Sequence, residues 1–472
     1  MPNNGYTPTD IDLDTVLMFD HQGKSFVDIR RLMVEFNIYE DLYTPTIKAD
    51  ITLLDAIGLI ERFPITGDET VHIKFKTPAD PNAYKKLIFS IYKLDSRGKY
   101  ETRSDTYVLH LVSSEMITAS SASLDTAYNA QPISDMVAGI YETVLKPSLD
   151  RFKIVKTDKT MTIEPTQGSH SIIAPMCNPF KFIRYLASRA KSSSHPASNF
   201  VFFENIKGFS FVTIDSLMSA DTVGQYYYGE FNLPEYDKHG DNPVREYQKI
   251  MGLDYINQFD VLKNYYNGLY NNEVAVLDPI RKKFVTNSFR YETDFDQIDH
   301  IGTKKITPPG STHDGGSRSH QRMIIEPISD SNFHRLPYFA DKVINGATIA
   351  DQQLAYPSRR QTFLPQQTAA AAQLNNIVIN ITIPGDANLM VGQTVDVLIP
   401  QTSSDDELKN RNNILFGKDN DSAKFLVTAV NHNYKLSDDD FVTHLQCVKD
   451  SYERDLVREA TLIDVNDPGD DF

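Results

Sequence analysis

The sequence predicts a mainly β protein with α+β insertions: two small β-barrel-like domains with an α/β domain between them. Three observations carry this expectation. Strict alternation recurs near both ends of the chain. Val71, Ile73 and Phe75 oppose His72, Lys74 and Lys76, and Ile377, Ile379, Ile381 and Ile383 oppose Val378, Asn380 and Thr382. A period of two marks a half-buried strand. Helical spacing is concentrated in the middle of the chain. The alternating runs are punctuated by Gly, Pro, Asn and Asp with no long helix between them, a pattern that suits a small barrel or sandwich.

Residues 1–117 form the first barrel-like domain in this reading, with strands from residue 11 onward. Over residues 48–76, an apolar segment (Leu53, Leu54, Ile57, Leu59, Ile60) leads through a short helical link into the turn Phe63-Pro64-Ile65-Thr66-Gly67. The acidic pair Asp68/Glu69 and the alternating strand follow. Leu87, Phe89 and Ile91 alternate with Ile88, Ser90 and Tyr92, as Tyr107, Leu109 and Leu111 do with Val108, His110 and Val112. Asp95-Ser96-Arg97-Gly98 between these runs has the composition of a hairpin turn.

The texture changes at the small polar stretch Thr118–Ser123, and residues 118–225 read as an α/β domain. Met136, Val137, Ile140, Tyr141, Val144 and Leu145 keep helical spacing up to Lys146-Pro147. A second helix starts with Asn178 as its cap and Pro179 at its first position, a favourable pairing. It buries Phe182, Ile183, Leu186 and Ala190 and ends in the loop Ser192–Pro196. Phe200–Glu204, a turn at Lys207-Gly208 and Phe209–Ile214 then read as a hairpin.

Residues 226–302 form a mixed helix and hairpin region. Asp254 is placed to cap a helix carrying Phe259, Leu262, Tyr266 and Leu269, ended by Asn271-Asn272. Val274–Leu277 and Lys283–Val285 suggest a hairpin through Asp278-Pro279. Residues 303–367, with the Pro/Gly/Ser-rich and locally basic stretch 303–322, read as a long loop or insertion. The second barrel-like region, 368–455, holds the isoleucine strand, the breaks Pro384-Gly385-Asp386 and Val391-Gly392, a strand through Val395, Val397 and Ile399, and strands Lys424–Val430 and Phe441–Val448 around an Asp438-Asp439-Asp440 turn. The acidic tail, 456–472, is expected to fray. Flanking barrel-like regions hint at a duplication.

The chain has 472 residues, 40% hydrophobic and 11% aromatic, with no Trp. That is material for several globular cores. Cys177 and Cys447 are the only cysteines, 270 positions apart. They make no disulfide framework and fit a reducing compartment as two small buried residues. The N-terminus is polar and acidic, without the basic and apolar regions of a signal peptide, and no apolar run approaches the ~18 residues of a membrane span. A soluble protein is expected. The net charge of −16 argues against nonspecific nucleic-acid binding, which draws on Lys and Arg neutralising phosphates.

No catalytic, cofactor-binding or metal-binding residue emerges. Gly23-Lys24-Ser25 is similar to the end of a phosphate-binding loop, but Met18 stands where the first glycine is needed and strands flank it. Asp419-Asn420-Asp421 and Asp237…Asp241 lack the glycine, glutamate or oxygen spacing of a calcium loop. Glu292, Asp294, Asp296 and Asp299 alternate with Tyr291 and Phe295 as on an exposed strand edge, where charge discourages stray pairing. A glycosidase pair would need a cleft that splits its pKa values. His170, His195, His300, His313, His320 and His334 are scattered, with no HExxH, no paired CxxC and no GxSxG.

The run of strand, helical link, Pro–Gly turn, Asp68/Glu69 and amphipathic strand resembles the first barrel of the central baseplate hub of contractile-tailed bacteriophages, which also opens the VgrG spike proteins of type VI secretion. Asn178–Leu217 is similar to the hub's helix and Phe-rich hairpin. Ile383-Pro384-Gly385-Asp386…Val391-Gly392-Gln393-Thr394-Val395…Ile399-Pro400 resembles its later barrel, with Gln393 in place of a frequent acidic residue. The order of these segments over about 400 residues carries the resemblance; the 301–367 excursion and the tail depart from it.

The resemblance implies a non-enzymatic structural protein of the virion tail baseplate, assembled in the host cytoplasm. It implies a homotrimer whose two barrels per chain make six, adapting a hexameric tail tube to a trimeric central spike protein. Baseplate wedge proteins would surround it, and DNA would pass through its lumen without specific binding. No cofactor is implied. The alternatives are a hub or spike adaptor of a type VI-like or other contractile injection system and, further off, a tail-associated peptidoglycan hydrolase. VgrG proteins continue into an OB-fold and β-helix that this chain lacks, so a separate spike is expected.

Overall fold

The computed structural model describes residues 9–77, 84–146, 159–196, 198–229, 247–278, 282–306, 320–325, 360–399, 423–437 and 440–452. The first part of the chain is built from β1 (Asp12–Phe19), β2 (Phe26–Asp28), β3 (Met33–Asp41), β4 (Lys48–Asp55), α1 (Leu59–Arg62), β5 (Thr70–Lys76), β6 (Lys85–Glu101) and β7 (Ser104–Ser113). Their alternation is obeyed: Val71, Ile73, Phe75, Phe89, Ile91, Tyr107, Leu109 and Leu111 are all buried in one core. Glu69 is buried because its carboxylate closes the Pro–Gly turn. It accepts Thr66 N at 2.9 Å, Thr66 Oγ1 at 3.0 Å and Gly67 N at 2.8 Å.

Next come α2 (Ser114–Ser121), β8 (Ala127–Gln131), α3 (Ile133–Ile140, continued by a π turn Tyr141–Leu145), β9 (Thr160–Ile163), β10 (His170–Ile173), α4 (Pro179–Ala187), β11 (Phe200–Asn205), β12 (Gly208–Thr213) and α5 (Ile214–Ser219). Asn178 caps α4 as expected, accepting Phe180 N and Lys181 N. Its Nδ2 donates to the Ala119 carbonyl at 2.6 Å, so one side chain satisfies the ends of two helices. The sheet β11-β12-β9 packs its Phe residues against α3 and α4 in a second core.

The rest comprises β13 (Thr222–Tyr228), β14 (Lys249–Ile250), β15 (Gly252–Asn257), α6 (Val261–Asn267), β16 (Asn271–Asp278), β17 (Lys283–Arg290), α7 (Tyr291–Asp294), β18 (His320–Ile325), α8 (Arg360–Leu374), β19 (Ile377–Pro384), β20 (Thr394–Leu398), β21 (Ala423–Lys435) and β22 (Asp440–Lys449). One fourteen-stranded sheet runs β14-β13-β20-β21-β3-β4-β7-β6-β5-β1-β2, with β22 and β19 branching from β21 and β15 pairing β19. The β21·β3 pairing, Ala429↔Asp41 through Lys435↔Glu35, joins strands of the two barrel-like regions. Two large apolar cores lie along this sheet, one around Val71–Leu111 and one around Ile377–Val448. The chain is mainly β with helical insertions, as the alternation predicts.

Several local expectations are corrected. Asp95–Gly98 is a bulge inside β6, where Asp95↔Val108 is followed by Gly98↔Thr106. The hairpin turns at Thr102-Arg103, because pairing on both flanks outweighs local turn chemistry. Thr118 lies within α2, its Oγ1 donating to Ser114 O at 3.3 Å, so the helical region begins before Thr118–Ser123. Asp254 does not cap a helix; it sits in β15 opposite Asn380, and Asp260 caps α6 by accepting Lys263 N at 2.9 Å. Gly268 ends α6 at φ 77°, ahead of Asn271-Asn272. The 303–367 span contains β18, parallel to β16, and the start of α8. Strands β13 to β15, from residues 222–257, join the sheet of the second barrel-like region. Pro279, Asp438-Asp439, Asp419–Asp421, Asp237, Asp241 and the tail 456–472 lie outside the described residues.

The Lys207-Gly208 turn explains its glycine. Gly208 has φ +143° and pairs in parallel with Thr160, whose carbonyl oxygen would stand 2.2 Å from an added Cβ. Both the dihedral and the backbone contact reject a side chain. Gly208→Ala is expected to cost about 3 kcal/mol or more of stability, read as a lowered urea midpoint; a shift under ~0.5 kcal/mol would show that the β9–β12 contact is not formed.

Candidate functional site

The residues that sequence reasoning weighed for chemistry do not converge. Glu292, Asp294 and Asp296 lie on α7 and the 3₁₀ turn after it and Asp299 in the loop that follows, not on a strand edge, because Tyr291 and Phe295 turn inward together into a small aromatic core. Asp294 caps locally, accepting Arg290 N at 2.9 Å. Asp299 faces His195 Nδ1 at 2.9 Å. Half-buried His300 has Asp450 Oδ2 2.7 Å from Nδ1 and the Phe295 carbonyl 2.8 Å from Nε2, with its ring stacked on Phe295. Desolvation works against its charged form, but the two acceptors outweigh it and raise the pKa above the ordinary histidine value. These histidines tie segments together. Gly23-Lys24-Ser25 is a turn held by Asp20. Cys447 is buried and Cys177 partly so. His313 and His334 lie outside the described residues. Among the described residues no group of three or more His, Cys, Asp or Glu could hold a metal ion, and no helix is long and apolar enough to cross a membrane.

The strongest electrostatics sit where sequence reasoning did not look. Glu40, Glu115 and Glu204 are all about 1% exposed or less. Lys159 Nζ lies 2.8 Å from Glu115 Oε2 and 2.6 Å from Glu204 Oε1. Glu204 Oε2 accepts the Ile47 amide at 3.0 Å. Glu40 accepts the Ile206 amide at 3.1 Å through Oε1 and the Val391 amide at 2.9 Å through Oε2. These four residues stitch β3, the β3–β4 connection and α2 to the β11–β12 hairpin and to the β19–β20 connection. Desolvation pushes Glu40 up to about 8; its two backbone hydrogen bonds oppose the shift and the Glu204 charge adds to it. Glu204 is also raised, chiefly by burial. Burial alone would lower Lys159, yet the two carboxylates hold it above the ordinary lysine range. A signal was present for Glu40: Phe36, Ile38 and Glu40 share the inward register of β3, and a glutamate there has to find partners.

Two surface features remain. A cleft of about 1060 Å³ lies between the β3–β4 turn, α4 and α8, lined among others by Tyr43, Phe180, Arg184, Phe202 and Leu364. At the sheet margin, among the described residues, β15 pairs with β19 alone. Along it and α6, Tyr255, Ile256, Phe259, Leu262 and Tyr266 are exposed, the last three at 64%, 71% and 76%. Apolar side chains beside an open strand edge are a recognised basis for association.

No family model matches the chain, and no curated protein matches it by sequence. Solved structures do. A tail protein from Neisseria meningitidis MC58 is 11% identical over 92% of this chain and 96% of its own, with a TM-score of 0.51. The 43 kDa tail protein of prophage MuSo2 from Shewanella oneidensis is 9% identical over 92% and 98%, with a TM-score of 0.48. An Escherichia coli component of the type VI secretion system, described as similar in structure to the T4 tail proteins gp27 and gp5, is 10% identical over 95% and 79%, with a TM-score of 0.39. Of these three, only the first exceeds 0.5, and at 11% identity it speaks for the fold. This chain has the fold of a tail protein.

Proposed function

We propose that this chain is the central hub of a contractile tail baseplate. Three copies form a ring that adapts a hexameric tube to a trimeric spike, with wedge proteins outside and DNA passing through the lumen. The observation that carries this reading is the single sheet wrapped over two separate apolar cores, in a fold shared along nearly its whole length with a tail protein. Three chains with two barrel-like domains each offer six comparable positions to a six-fold tube and three to a spike. The role is structural and non-enzymatic. The apolar β15–α6 margin is the part of the described surface best suited to contact a neighbouring copy.

Native mass measurement of the protein, alone and with its spike, is expected to give a trimer. A stable dimer, or a 1:1 pair with the spike, would overturn the reading. The wall of the lumen is expected to be net acidic, since basic side chains would hold a duplex through counterion release. A structure of the assembled ring tests this directly, and a majority of Lys and Arg among lumen-facing charges would refute it.

A further inference from the structure

The two barrel-like regions use one strand pattern twice. The first runs β3-β4-β7-β6-β5 and the second β15-β19-β22-β21-β20, antiparallel at every step. A bulge marks the same place in both central hairpins. β6 slips between Ile91 and Lys93, opposite Leu111 and His110, and β21 slips between Val427 and Ala429, opposite Cys447 and Gln446. Aligned on that bulge, Asp95, Gly98 and Lys99 of β6 correspond to Asn431, Asn433 and Tyr434 of β21. On the outer strands, Asn257, Asp254 and Leu253 of β15 correspond to Tyr39, Asn37 and Phe36 of β3.

The two regions differ in what their outer strands meet. β21 outruns β20, and its second half pairs with β3. β6 likewise outruns β5, whose pairing ends at Thr70↔Ser90. Among the described residues, however, no strand lies beside the free side of Lys93–Glu101, and β15, the counterpart of β3, has no outer neighbour. Each chain therefore holds one finished joint and the two halves of a second.

We propose that β6 of one copy pairs antiparallel with β15 of the next, repeating between chains the β21·β3 joint within each. The pairs Asn431↔Tyr39, Asn433↔Asn37 and Tyr434↔Phe36 then place Asp95 opposite Asn257, Gly98 opposite Asp254 and Lys99 opposite Leu253 of the neighbouring copy. Between Asp95 and Gly98, β6 has one residue more than β21 has between Asn431 and Asn433. Between Asn257 and Asp254, β15 has one more than β3 has between Tyr39 and Asn37. The two extra residues fall opposite each other, so the new ladder runs unbroken. Charge agrees with this register: the exposed Asp254 comes to lie between the neighbour's Arg97 and Lys99, which within the chain both bind Asp105. Exposed Tyr92 and Tyr100 on one edge and Tyr255, Ile256 and Phe259 on the other supply apolar surface to cover. Because the two edges differ, the contact is head-to-tail and closes into a ring. Closure at three copies rests on the hub reading above; the pairing itself does not.

Oxidative cross-linking of the full chain tests it. Opposed residues of an antiparallel pair have Cα atoms about 4.5–5.5 Å apart, within reach of a disulfide. Asp95→Cys with Asn257→Cys is expected to give a ladder of covalently joined copies ending at the trimer on a non-reducing gel. Gly98→Cys with Asp254→Cys is expected to do the same, at a glycine with open space around an added Cβ. The mismatched pair Asp95→Cys with Asp254→Cys and the single variants should stay unlinked, which also controls for Cys177 and Cys447. A trimer by native mass measurement in which neither matched pair links overturns the pairing and leaves the hub reading standing. A ladder ending at another number upholds the pairing and overturns the trimer. A chain that stays monomeric and unlinked at high concentration, or a mismatched pair that links as fully as the matched ones, overturns the pairing.

Discussion

Lys159→Met is expected to destabilise the protein by about 3–5 kcal/mol near pH 8. Among the described residues the lysine is the sole cation in contact with Glu115 and Glu204, at 2.8 Å and 2.6 Å, and both carboxylates have fully buried side chains. Replacing a buried pair with apolar groups can be neutral, but removing one partner leaves charge stranded in a low dielectric. The lysine side chain keeps 19% exposure, so water reaches the site and the lower part of that range is the better expectation. The deficit should shrink toward pH 5. Without Lys159, Glu204 loses the cation that opposes its burial, and its folded-state pKa rises further above the unfolded one. Its protonation then favours the native state at low pH, and this contribution is lost as the pH rises. Adding Glu115→Gln should recover part of the loss. Urea unfolding of wild type and variant at pH 5 and 8 reads it; a pH-independent deficit below about 1 kcal/mol would mean the lysine is not buried against these acids.

Ile381→Asp should cost more than about 4 kcal/mol, while Asn380→Asp costs about 1 or less. Ile381 is 1% exposed in the core formed with Ile379, Ile383, Val430 and Leu445. An aspartate there removes apolar burial and strands a charge. Asn380 is one residue away on the other face of β19, opposite Asp254 and Gln446. A new charge there, on a half-buried residue, meets a like-charged cross-strand neighbour. The pair is a test of register, because a slip by one residue exchanges the two faces. Equal stability of the two variants by chemical denaturation would place β19 in a different register.

What the residue order conveyed best was pattern held by short-range physics. The alternations of β5, β6, β7 and β19, the Asn178-Pro179 cap and the Gly208 turn each rest on groups within a few residues of one another, and each stands in the structure. The errors have a common origin. Asp95–Gly98 and Asp254 carry turn and cap chemistry, but both are held in strands by partners far along the chain, Thr106–Val108 for one and Asn380 for the other. The start of α8 was hidden because Pro365 interrupts the helical pattern, and the burial of Phe363 and Leu364 is decided by what packs on them.

The candidate site was less legible still. Glu40 stood in an inward register that could have flagged it, but nothing near Glu115, Lys159 or Glu204 in sequence indicates that they meet. Sequence alone determined the class of the protein: strand-rich, with helices inserted between barrel-like regions. Tertiary structure alone decided that both regions share one sheet through β3 and β21, and that three buried glutamates and Lys159 gather where they join. The physical reason is range. Alternation, capping and turns are written within a few residues, whereas a buried charge is tolerable only because partners 44, 157, 166 and 351 positions away arrive to satisfy it.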